Sequence, residues 1–365
     1  MTDPANMRVL LCRPHGGLND TLCRIAHCWR YATRFGRHLL IDTRRCSLQA
    51  PLDQYFEWTG PGAPVSCALD ASAWSALNAM RCRPACIEGR VDSACAIRVR
   101  GAGNAMDSRT FMSLRFAEVG TSDFERDHGE QLLVWEGSGG GTESADVLPH
   151  LRLAPHLRSR VEHAVATLEP AYSALHVRNT DYRTDYRRLF RRVRRLGISG
   201  PLLVCSDDPR VVACARRMLR NPILAFSGRA RSLDRTGALH LPSAYASEAE
   251  VQNAVAESII DLIALGNAQR LCCGTVMNGW ASGFSFLACH LCRNKGVIDS
   301  LLGVPRAQWR DSEPGAAMVL DIAGGWRQRA WLLRRRAGAL RRAVASRAAH
   351  LLEGLSGSHA RTTGR

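Results

Sequence analysis

Residues 172–208 read YSALHVRNTDYRTDYRRLFRRVRRLGISGPLLVCSDD. Tyr172–Arg178 is an apolar run of strand length that ends in polar residues, and Pro201–Cys205 is a second such run. Between them, Thr184–Leu196 has helical periodicity, with Tyr186, Phe190 and Val193 on one face. An apolar strand, an amphipathic helix and another apolar strand make a βαβ unit, whose strands lie parallel and are covered on both faces. The alternation continues as a helix over Pro209–Leu219, a strand over Ile223–Phe226, a helix over Glu248–Leu265, a strand over Arg270–Cys273 and a helix over Gly283–Arg293.

Outward from this block, the N-terminal half repeats the pattern more loosely. Met7–Arg13 (MRVLLCR) predicts a buried strand, Leu18–Phe35 a helix, His38–Asp42 (HLLID) a strand and Gln131–Trp135 (QLLVW) another. The stretch from about Leu48 to Gly129 predicts irregular structure with weaker strands. Residues 136–143 (EGSGGGTE) read as a flexible loop near a domain boundary, and Pro155–Leu168 as a helix. The expectation is an α/β chain with ligands at the carboxyl ends of parallel strands. Its 365 residues exceed one typical domain. The expected division is a Rossmann-like unit over 1–150, a second unit over 151–320 and a tail over 321–365.

The chain carries 49 Lys and Arg against 33 Asp and Glu, a formal charge of +16. Ten arginines against the single acid Glu353 lie beyond Asp321. In that tail, Leu333, Ala337, Leu340, Val344, Ala348, Leu351 and Leu355 form one helical stripe, with Trp326 and Trp331 at its start. Such a basic amphipathic helix suits an anionic membrane surface, so an inner-membrane contact through 326–355 is expected. The plainer reading is a helix packed on the protein with a solvated basic face. Nucleic acid is not an expected partner, because few aromatic platforms accompany the charge. No run of eighteen apolar residues occurs, and the N-terminus lacks the charged start and apolar centre of a secretory signal, so a cytoplasmic location is expected. The fourteen cysteines stand in apolar surroundings and read as reduced core residues. Cys289-His290-Leu291-Cys292 lacks a second ligand pair and reads as one turn of a buried helix, so no metal is expected.

Three constellations carry chemistry. His15-Gly16-Gly17-Leu18-Asn19-Asp20 joins a strand to a helix, where glycines let the backbone turn tightly and the helix start favours anions. It is neither a GxGxxG fingerprint nor a Walker loop. His176-Val177-Arg178-Asn179-Thr180-Asp181-Tyr182-Arg183 emerges from a core strand, which puts Arg178 where a guanidinium fork can meet phosphate oxygens. The alternative is a surface ion pair with Asp181. Asn278-Gly279-Trp280-Ala281-Ser282-Gly283-Phe284-Ser285 opens another helix after a strand, with Ser282 as its cap.

In this order the pieces resemble the GDP-fucose-dependent fucosyltransferases, and look nearest to their α-1,6 and nodulation branch. The matching residues are His15–Asn19, His176-Val177-Arg178 with Thr180-Asp181, Ser206-Asp207-Asp208-Pro209, Asp261 within IIDLIALGNAQRLCCG, and Ala281–Ser285. They span residues 7–43 and 172–295.

The resemblance implies a GT-B-like fold of two Rossmann-type domains around a cleft, and an inverting reaction that uses no cofactor or metal, with GDP-fucose as donor. It implies Arg178 on the β-phosphate, His176 and Asp261 on the guanine, and Ser282, Gly283, Phe284 and Ser285 around phosphate. Gly16, Gly17, Leu18 and Asn19 would face the sugar or an oligosaccharide or glycolipid acceptor, with Asp207 nearby. In the α-1,6 branch an acid eight residues after the arginine is the proposed base; that position is Tyr186 here, which leaves Asp185 and Asp181 as candidates. An inactive GDP-sugar-binding protein and a basic RNA- or membrane-surface-binding protein are the alternatives.

Overall fold

The computed structural model describes residues 7–93, 124–180, 183–226, 247–276, 279–304 and 314–322. Its first sheet is built on β1 (Val9–His15), which is buried along its whole length. β1 lies parallel between β2 (His38–Ile41) and β6 (Leu132–Ser138), and β4 (Val65–Ser66) and β5 (Cys82–Arg83) form the edges. Helix α1 (Leu18–Phe35) connects β1 to β2. It begins at Gly17 and stops at Gly36, whose φ of 62° supplies the left-handed turn that ends many helices.

The second sheet has the order β10-β9-β8-β11-β12, all parallel. Its strands are β8 (Ser173–Val177), β9 (Leu202–Ser206), β10 (Ile223–Leu224), β11 (Arg270–Gly274) and β12 (Ala316–Leu320). The helices between them run over Tyr186–Arg195, Pro209–Met218, Glu248–Asn267, Gly283–Arg293 and Lys295–Leu302. We number these α5 to α9. Among the described residues the remaining α-helices are α2 (Ala71–Ala79), α3 (Ser144–Val147) and α4 (Pro155–Ala166).

Several expectations change. The chain does not loop at Glu136: β6 continues through Gly137 and Ser138, in register with Pro14 and His15 of β1. A buried glutamate is tolerated there because His15 hydrogen-bonds to it across the two strands. Helix α2, capped by the Asp70 carboxylate on the Ala73 amide, lies in the stretch expected to be irregular. β7 (Leu151–Leu153), just past the expected boundary, pairs antiparallel with β3 (Phe56–Trp58) of the first half.

The main apolar core is likewise continuous across that boundary. It joins Leu10, Leu22 and Leu133 of the first half to Leu203, Ile259, Leu271 and Leu287 of the second. Twelve of the cysteines are free thiols, and of these all but Cys67 are buried. Cys289 and Cys292 sit inside α8 as core residues. No helix among the described residues is long and apolar enough to cross a membrane. The basic helix expected over 326–355 lies outside the described residues.

Candidate functional site

The carboxyl ends of the two sheets open on one cavity of about 600 Å³. Parallel strands deliver polar termini to that edge, and the helix that follows each strand presents its N-terminus there. From the first sheet, His15 and the Gly16–Asp20 turn line the cavity; from the second come His176, Arg178, Asp207, Asp261 and the Ser282–Phe284 helix start. α1 packs on α8, and the contact is close. A Cβ on Gly283 would lie 2.7 Å from the Cβ of Asn19.

β8 sets His176 and Arg178 on the same side of the strand, two residues apart. The Arg178 Nη1 lies 2.9 Å from Oδ2 of Asp207, which is itself buried at the end of β9. Asp207 also accepts the Asn179 amide at 2.7 Å and the Thr180 hydroxyl at 2.6 Å. Its charge is therefore compensated, and it anchors the guanidinium at the cavity wall. One ion-pair partner of Arg178 is thus on the neighbouring strand. Asp181 lies outside the described residues.

Asp208, next in sequence, has a different task. It caps α6 by accepting the Arg210 amide at 2.9 Å and also binds the Arg210 and Asn179 side chains. Burial opposes its ionisation, but the bonds from Arg210 and Asn179 outweigh that and hold its carboxyl below the usual range. Among the described residues, no group of three or more His, Cys, Asp or Glu is arranged to hold a metal ion.

His176 is buried against the Phe284 ring at 4.9 Å, and its Nδ1 lies 2.8 Å from the Ser285 hydroxyl. Burial, helped by the nearby Arg178 charge, pushes its pKa down to about 3. His176 is therefore a neutral hydrogen-bonding ring, and the cation of this wall is Arg178. Between pH 6.5 and about 3 the unfolded chain binds a proton at this position that the folded chain does not. Stability contributed here is present above pH 6.5 and is lost as pH falls through that window, by up to roughly 1.4 kcal/mol per pH unit. Urea midpoints measured between pH 6.5 and 4.5 should fall less steeply for His176→Gln than for the unmodified chain. Equal slopes would mean the ring is not held neutral.

Ser282 caps α8 by accepting the Ser285 amide at 3.1 Å, and the two serine hydroxyls are 2.9 Å apart. Ser285 is buried and does not border the cavity; it links the helix start to His176. Ser285, expected around phosphate, thus stands behind the lining, whereas Ser282, Gly283 and Phe284 line the space. In the facing turn, Gly16 has a φ of 90°, which favours glycine, and the Gly17 amide donates to Asp20 at 3.3 Å. The Asn19 amide group donates to Gly141 O at 3.2 Å, and its oxygen accepts from the Ser144 hydroxyl at 2.7 Å. Asn19 thus braces the turn against the 141–144 segment.

Asp185, a candidate base by the resemblance, is placed elsewhere. It is exposed, caps α5 by accepting the Arg188 amide at 3.1 Å, and borders a separate cavity of about 530 Å³ among Arg188, Arg191, Arg192 and Arg195. A helix-capping aspartate on that outer surface is not placed to act in the shared cavity. Conversely, sequence reasoning missed Glu136, whose Oε1 lies 3.0 Å from His15 Nε2 with both residues buried. The available signal was a polar residue at the end of each of two apolar strands.

No known protein family's sequence profile matches the chain, and no curated protein matches it in sequence. In three dimensions it is similar to NodZ α-1,6-fucosyltransferase soaked with GDP-fucose, at 18% identity and a TM-score of 0.52, over 78% of this chain and 93% of that one. It is similar also to fucosyltransferase NodZ from Bradyrhizobium, at 17% identity and a TM-score of 0.52, over 78% and 92%. A third similarity is to the same enzyme co-crystallised with GDP, at 16% identity and a TM-score of 0.50, over 78% and 92%. The chain shares the fold of these fucosyltransferases.

Proposed function

We propose that the chain is an inverting, metal-independent glycosyltransferase that moves L-fucose from GDP-fucose to a hydroxyl of an oligosaccharide or glycolipid. On this reading the two sheets are the two Rossmann-type halves of a GT-B-like enzyme, and the shared cavity takes the donor. The observation that carries it is Arg178, anchored by Asp207 at the carboxyl end of the second sheet and sharing its cavity with the N-terminus of α8. As the glycosidic bond breaks, negative charge grows on the departing diphosphate. A guanidinium has five N–H donors, so one edge can stay on Asp207 while another meets phosphate. The amides at Gly283 and Phe284, at the first turn of the helix, add donors that have no intrahelical partner. Groups fixed in advance where charge develops are worth about 3–4 kcal/mol each in comparable settings. His176, neutral, and Asp261 would meet the uncharged guanine at the inner end of the cavity.

The test is a panel of nucleotide sugars scored by thermal stabilisation and by nucleotide release. GDP and GDP-fucose should stabilise the fold, by about 2.7 kcal/mol at a hundred times the dissociation constant, and GDP-fucose should be cleaved. Binding without cleavage would identify an inactive GDP-sugar-binding protein, and no stabilisation by any nucleotide sugar would end the donor reading.

A further inference from the structure

We propose that His15 is the general base that takes the proton from the attacking hydroxyl, and that Glu136 is the residue that positions it. This rests on the donor reading above.

The two residues are 121 positions apart in sequence and meet because β1 and β6 are parallel neighbours in register. His15 borders the cavity, whereas Glu136 does not. The order from the cavity inward is therefore imidazole, then carboxylate. An ionised carboxylate can only accept, so its 3.0 Å contact places the imidazole proton on Nε2. Nδ1 is then left with its lone pair, the form in which an imidazole removes a proton. A carboxylate behind the ring fixes this tautomer and stabilises the imidazolium that forms; a nucleophile, a base and an orienting group in line is a recurrent arrangement.

The two walls divide the chemistry. Arg178 and the start of α8 belong to the second sheet and face the leaving diphosphate, while His15 belongs to the first. Inversion requires attack on the anomeric carbon from the face opposite the leaving group, so the base belongs on the wall across from the cation. The other acids of the site are differently engaged. Asp207 anchors Arg178, Asp208 caps α6, and Asp20 folds back on the Gly17 amide. Asp261 stands on α7, on the second sheet's side.

The step balances as follows. The hydroxyl oxygen uses a lone pair to form the new bond to the anomeric carbon, and its proton passes to His15 Nδ1. The bond from that carbon to the β-phosphate oxygen breaks with its electron pair, releasing GDP. The imidazolium is held against Glu136 until it returns its proton to water.

The experiment follows GDP release from GDP-fucose, with water as the acceptor, together with GDP binding by calorimetry, for the unmodified chain, His15→Ala and Glu136→Gln. General-base catalysis contributes about 10²–10⁴-fold. kcat should fall about a hundredfold or more in each variant, while KM for GDP-fucose and Kd for GDP stay within about twofold, and added imidazole should restore part of the His15→Ala rate. Glu136→Gln keeps a side chain of the same shape, so it reports on the chemistry even if His15→Ala folds poorly. Variants that turn over like the unmodified chain would overturn the proposal, as would rate losses matched by lost GDP binding. An unmodified chain that binds GDP but never cleaves GDP-fucose would overturn the base and leave the donor site standing; one that does not bind GDP would remove the donor reading itself.

Discussion

Arg178→Ala should reduce GDP-fucose turnover by about 10²–10³-fold and weaken GDP binding, because it deletes the cation anchored by Asp207 at the end of β8. Stability should fall as well. Asp207 is 3% exposed in its side chain and would keep only the Asn179 amide and the Thr180 hydroxyl among its contacts described above. Removing one member of a buried pair costs about 3–5 kcal/mol, and the two remaining hydrogen bonds place this case toward the lower end. The two effects separate in the double variant Arg178→Ala with Asp207→Asn. Neutralising the orphaned carboxylate should recover most of the stability, read by urea unfolding, and none of the turnover. Recovery of turnover in the double variant would show that the arginine serves only to neutralise Asp207.

Gly283→Ala should be a damaging single-methyl change at the site. The added Cβ would sit 2.7 Å from the Asn19 Cβ, and Asn19 cannot swing aside while both its amide ends are held by Gly141 and Ser144. Overpacking of this kind costs about 1–3 kcal/mol. Both residues border the cavity, so the strain pushes the first-sheet turn away from the α8 start, and turnover should fall even where the variant is fully folded. Asn19→Gly in the Gly283→Ala background removes the obstructing Cβ and should regain part of both losses. A Gly283→Ala protein with unchanged unfolding midpoint and rate would mean that the two helix starts are not in tight contact.

The parts of this molecule legible in its sequence are those set by local pattern. Long apolar runs marked β1, β8, β9 and β11, and Ser282 before Gly283 marked the start of α8, which begins at Gly283. Composition misled where tertiary contacts override it. The EGSGGG run reads as a loop, yet its first three residues complete a strand, buried through Gly137, because β1 supplies the pairing and His15 supplies the partner for Glu136. Arg178 has a candidate local partner, Asp181, three residues away in sequence, whereas its pairing with Asp207 across adjacent strands depends on register and could not be read locally. Asp185 stood next to the position where the resemblance calls for an acid, but helix geometry turns it into a cap on the outer surface. Helix α9 and strand β12 are short, so periodicity alone did not announce them.

The most direct measurement is a crystal structure of the protein with GDP. The account predicts the diphosphate in the cavity between the sheets, with a β-phosphate oxygen within hydrogen-bonding distance of the Arg178 guanidinium and of the amides at Gly283 and Phe284. Nucleotide bound elsewhere, or a diphosphate in that cavity with Arg178 still turned wholly onto Asp207, would contradict it.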